Sequence, residues 1–102
     1  PERVRSQIEG AAVMGLSIAK FTEVTFKDGR VQQNNFHDYP VLRIGQGAMD
    51  VRTHIVPATI DDPSSGVGEP GVPPFAPAFV NAVFAATGKR IRNLPLGQQL
   101  TA

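Results

Sequence analysis

The chain has 102 residues, 41% of them apolar and 19% charged, which fits one domain with a limited core and excludes both disorder and a coiled coil. A formal net charge of +1 is too small for the electrostatic footprint of a nucleic-acid or membrane-surface binder. Without cysteine the chain cannot form disulfides, thiolate zinc sites or its own iron–sulfur ligation, and the compartment stays open between cytoplasm and periplasm.

No apolar run reaches the ~20 residues of a membrane span, and no signal peptide opens the sequence. Pro1 stands where an initiator Met would, so a processed or excised fragment is expected. Residues 4–20 read as a helix with Val4, Ile8, Ala11, Ala12, Gly15 and Ile18 on one stripe and Val13, Met14 and Leu16 on other faces. Residues 10–19 carry no charge, and a helix apolar all round is normally covered all round. One small sheet can cover only one side. The isolated chain is therefore expected to self-associate through Val13, Met14 or Leu16. The small residues Gly10, Ala11, Ala12 and Gly15 suit close approach by another backbone or a large ligand.

Residues 21–27 alternate as a strand, Asp28-Gly29 supplies a turn, and residues 30–34 return as a hairpin partner. Residues 35–50 read as a loop and 51–56 (VRTHIV) as a third strand. A loop rich in proline and glycine follows to Pro74, with Pro73 and Pro74 suited to a helix start. Residues 75–87 repeat at helical spacing, and Gly88, Lys89 and Arg90 stop that helix. RIRNLPL is a short last strand or an extended tail. The order α-β-β-β-α-β predicts an α+β, two-layer fold, with two helices on one face of a small, mostly antiparallel sheet.

GVGEPG, with Gly66, Gly68 and Gly71, matches a dinucleotide-loop fingerprint, but its context does not. The preceding strand ends about ten residues too early, Pro70 removes an N–H, and Glu69 would repel phosphate. Glu69 could be an ordinary loop carboxylate ahead of a helix N-terminus. Rigid prolines and close-approach glycines around it are better suited to aiming a carboxylate than to solvating one.

QIEGAAVMGLSIA, the hairpin with KDGRV, NFHDYPVLR, HIVPA and above all GVGEPGVPPFAPAFVNAVFAATGKRIRNLPL resemble the extreme C-terminal part of the molybdopterin-binding large subunit of molybdenum hydroxylases. That family includes xanthine dehydrogenase and aldehyde oxidoreductase, and the likeness is greatest to the isoquinoline 1-oxidoreductase beta-subunit group. The resemblance implies that residues 1–102 are one domain, part of a molybdopterin-binding domain, and that the parent oxidoreductase hydroxylates an aldehyde or an N-heterocycle. It further implies that Glu69 is the catalytic base, that Gly66 and Gly68 let its loop approach the metal centre, and that Gln7, Glu9 and Gly10 lie near the pterin.

The other cofactor segments and the iron–sulfur small subunit would be separate from this chain. Alone it is expected to bind no molybdenum cofactor and to be inactive. Ala11, where relatives often have glycine, and the loop GQGAMD (residues 45–50) depart from the family pattern. A non-catalytic module docking through the first helix is the alternative. His37 and His54 with Asp38, Asp61 and Asp62 lack metal-ligand spacing, so structural or solvated roles are expected for them. Lys89, Arg90 and Arg92 read as dipole partners and surface charge.

Overall fold

The computed structural model describes residues 1–47, 50–63 and 65–100. Helix α1 runs Glu2–Lys20, two residues earlier than its apolar periodicity begins, with Glu2 in its first turn and Lys20 in its last, both favourable to the dipole. Strands β1 (Phe26–Lys27) and β2 (Arg30–Val31) pair antiparallel, Phe26 opposite Val31. Both turn residues, Asp28 and Gly29, have positive φ, the conformation that matches the right-handed twist of a tight hairpin. Helix α2 spans Phe75–Thr87 and ends on Gly88 at φ 73°, whose N–H donates to the Phe84 carbonyl at 2.7 Å.

Two helices and a two-stranded antiparallel sheet make an α+β chain, arranged differently from the layer expected. The helices pack against each other, and neither packs on the hairpin. Residues 51–56 form no ladder, because no neighbouring strand among the described residues offers hydrogen bonds. Their tie to the fold is the Arg5 guanidinium, which donates to the Thr53 carbonyl at 2.9 Å. The last segment is the extended tail rather than the strand: the Leu96 N–H donates to the Ala19 carbonyl at 2.7 Å and the Gly97 N–H to Lys20 at 3.3 Å. These bonds satisfy carbonyls that a helix C-terminus leaves open.

The tail also corrects the helical stripe. It brings buried Leu96 to the end of α1, where Leu16 and Ala19 are buried, while Ile18 is left partly exposed; Ile91 is buried as well. Ser17, also buried, fastens the neighbouring loop: its Oγ accepts the Leu42 N–H at 3.0 Å and lies 3.2 Å from Thr22 Oγ1. The core is thin. α2 buries no residue fully, and the chain exposes 8081 Å², where a compact protein of this mass shows about 5,600 Å². Its radius of gyration is 16.6 Å, against about 13 Å for a compact domain of this length.

Candidate active site

The loop before α2 is stiff for reasons written in its residues. Pro70, Pro73 and Pro74 fix their own φ angles, and two consecutive turns close with the Val72 N–H on the Glu69 carbonyl (3.3 Å) and the Phe75 N–H on the Val72 carbonyl (3.2 Å). Glu69 is thereby coupled through six residues to the first turn of α2. Its side chain is exposed and makes no hydrogen bond or ion pair with the described residues. It lines an open recess of about 430 Å³ together with Gly66, Gly68, Pro70 and Pro73. One carboxylate amid glycine and proline can accept hydrogen bonds, ligate a cation or take up a proton.

Helix α1 holds this loop along one seam. Gln7 Nε2 is 3.7 Å from where a Cβ of Gly68 would stand, an ordinary contact. One turn on, a Cβ at Gly71 would lie 2.5 Å from Ala11 Cβ and 3.4 Å from Ile8 Cδ1. Another turn on, a Cβ at Gly15 would lie 2.6 Å from Phe75 Cβ. The spacing 7, 11, 15 is a single helical face. Gly66 is different: no described residue lies within 4 Å of its Cβ position and its φ is not positive, so nothing among the described residues requires a glycine there.

The structure brings Gln7, Gly68, Gly66 and Glu69 together but separates Glu9 and Gly10 from them. Those two line another open depression, of about 490 Å³, with Ser6, Val13, Asp50 and Val51. Two residues along a helix are ~200° apart, so Gln7 and Glu9 serve different sides. In the sequence Gly71 is only the third glycine of GVGEPG, and its packing role shows when the loop is laid on Ala11.

The other polar candidates have local roles. The Asp38 carboxylate accepts the N–H groups of Asn34 (2.8 Å) and Asn35 (2.9 Å), and these backbone donors hold its pKa below the ordinary aspartate value. The Asp62 carboxyl is lowered in the same way by hydrogen bonding to Thr59. Among the described residues no three His, Asp or Glu side chains gather as a metal site. Arg90 lies 3.7 Å from the Phe84 ring centroid and donates to Asn81 Oδ1 at 2.7 Å. Of the loop GQGAMD, Ala48 and Met49 lie outside the described residues. No described helix is long and apolar enough to cross a membrane.

Comparison with known proteins gives these positions a context. The chain is 38% identical over 96 residues, 94% of its length, to the beta subunit of isoquinoline 1-oxidoreductase from Brevundimonas diminuta. It is 32% identical over 102 residues, 94% of its length, to the molybdenum-binding subunit of aldehyde oxidoreductase from Escherichia coli. The chain is homologous to molybdenum hydroxylase large subunits. It spans 12% of the first relative's length and 14% of the second's. A third relative, 36% identical over 97 residues, is named a membrane-bound aldehyde dehydrogenase with pyrroloquinoline quinone, from Gluconacetobacter polyoxogenes. No family model matches the chain. Because the homologues are oxidoreductases, the reading as a non-catalytic docking module is not favoured.

Proposed function

We propose that this chain is the part of a molybdenum-dependent hydroxylase that carries its catalytic base, Glu69, and one wall of its cofactor site. The enzyme would act on an aldehyde or an N-heterocycle, the two substrate classes named among the relatives. The observation that carries the reading is the setting of Glu69: an unpartnered carboxylate on a proline-stiffened turn, facing an open recess. Gly66 fits the group as well. A glycine that neither its backbone nor any neighbour requires leaves room for a body from outside the chain to approach the loop.

Molybdopterin, when bound, supplies the two-electron acceptor for oxidation of the substrate carbon. On the protein side Glu69 accepts the proton released as the oxygen nucleophile forms, the work of a general base within hydrogen-bond reach. Gln7, beside Gly68, offers an amide that both donates and accepts hydrogen bonds, and with Gly66 and Gly68 it forms the near wall of the site. Glu9 and Gly10, on another side of α1, would meet the cofactor segments of the remaining large subunit.

That remainder and an iron–sulfur small subunit are the proposed partners, since a chain without cysteine cannot hold the clusters itself. In this arrangement residues 1–102 are one part of the molybdopterin-binding domain. Residues 51–56 and the tail would gain strand neighbours there, completing the α-β-β-β-α-β layer.

Glu69→Gln in the assembled enzyme tests the assignment. Turnover falls about 10²-fold or more while molybdenum content stays normal, because the amide keeps size and hydrogen bonding but not basicity. Wild-type turnover would refute the role of Glu69. An assembled enzyme without molybdenum would refute the cofactor and favour the quinone in the Gluconacetobacter relative's name.

A further inference from the structure

We infer that Gly71 and Ala11 form a steric gauge that sets where Glu69 stands. The inference rests on the reading of Glu69 as the base and adds two positioning residues that act through the loop carrying it. Gly71 is two residues beyond Glu69 and lies directly on α1, where a Cβ would come within 2.5 Å of Ala11 Cβ. That approach is closer than two carbon atoms tolerate, and neither is the free end of a flexible chain.

The loop cannot absorb the displacement locally. Pro70 precedes Gly71 and Pro73 and Pro74 follow closely, and the turn closed by Val72 on Glu69 includes Gly71 itself. Downstream, Phe75 is already pressed against Gly15, with 2.6 Å available for a Cβ there. A methyl at position 71 therefore moves the turn that carries Glu69. A base displaced by about 1 Å from its reacting group loses about 10²-fold in rate. The φ of Gly71 is not positive, so alanine fits the backbone and the obstruction is the side chain facing it.

This geometry predicts its own suppressor. Ala11→Gly removes the Cβ that Gly71→Ala would strike, leaving Ile8 Cδ1 at 3.4 Å, the end of a side chain that can yield. Glycine within α1 weakens the helix, so recovery in the double variant could not come from added stability.

The three variants Gly71→Ala, Ala11→Gly and the double are compared in the assembled enzyme. Molybdenum content, kcat, KM and hydrogen exchange of the amides of residues 66–69, 71 and 72 are measured. The gauge requires Gly71→Ala to lower kcat about 10²-fold with little change in KM or metal content and to speed exchange in the loop. The double variant must return both readouts to within about threefold of Ala11→Gly alone, well inside that loss. If Gly71→Ala does not assemble, assembly of an active double variant supports the gauge. Failure of both, unchanged kcat in Gly71→Ala, or a loss that Ala11→Gly does not relieve would overturn it. Should Glu69→Gln retain wild-type turnover, the exchange data still decide the gauge, so the two failures are distinguishable.

Discussion

Gly15→Ala and Gly10→Ala, the same substitution five residues apart on one helix, should change stability in opposite directions. At either site alanine gains about 0.5–1 kcal/mol of helix preference over glycine. At Gly10 no described residue lies within 4 Å of the new Cβ, so that gain is realised. At Gly15 the new Cβ meets Phe75 Cβ, Cγ and Cδ1 at 2.6, 2.7 and 2.9 Å. Overpacking of this kind costs about 1–3 kcal/mol, and the nearest atom is fixed to the α2 backbone, which puts the cost in the upper part of that range. The net result is a loss of about 1–2 kcal/mol for Gly15→Ala. Urea unfolding of the chain followed by circular dichroism measures both, at one protein concentration because self-association shifts apparent stability. Equal stability shifts at the two sites, or a stabilised Gly15→Ala, would refute the account of the α1–α2 seam.

The isolated chain should self-associate at micromolar concentration through exposed Val13 and Met14. Met14→Glu should shift light scattering towards monomer, and a clean wild-type monomer would count against the interface. Asp38 has a lowered pKa in the folded loop, so its contribution to stability is fully present above the unfolded value of about 3.9 and lost as pH falls through the lower folded value. Protection of the Asn34 and Asn35 amides, taken relative to intrinsic exchange at each pH, should fall as pH drops through the lowered Asp38 value, and Asp38→Asn should remove that acid dependence; equal profiles would contradict the hydrogen bonding. Gly66→Ala should leave the chain as stable or stabilise it by about 0.4–1 kcal/mol, yet lower metal content or turnover of the assembled enzyme. An unaffected enzyme would show that nothing approaches Gly66 closely.

What the sequence made legible is local. The Phe75–Thr87 helix and its Gly88 stop follow from spacing and cap chemistry, and the Asp28-Gly29 turn from its dipeptide. What it hid was partnership. The alternation of residues 51–56 describes a strand's faces, but a strand exists only where another chain segment takes its hydrogen bonds, and periodicity carries no record of that segment. Helical spacing puts Leu16 off the stripe that one layer covers, yet Leu16 is buried, near the end of α1 to which the tail bonds through Leu96 and Gly97. Glu69 was legible as a residue by its setting, whereas its support on Ala11 depended on a contact sixty residues apart in sequence.

On the proposed reading, the exposure of Glu69 is that of one wall of a larger site: general-base catalysis gains when water is excluded around the reacting atoms, and the recess here is open. The proposed remaining walls would need apolar surface to dock on; α2 carries no charge and no fully buried residue, and the total exposed area, polar and apolar together, exceeds that of a compact protein of this mass by roughly 2,500 Å². That excess is about three times the ~800 Å² per partner of a standard stable interface. Burying it against the remaining large subunit would complete the core and dry the recess in one step, which couples the folding of this segment to the assembly of the site it serves. Within the chain the loop bearing Glu69 already meets α1, at Gly68 beside Gln7 and at Gly71 on Ala11, so assembly would add walls to a loop whose seat is present.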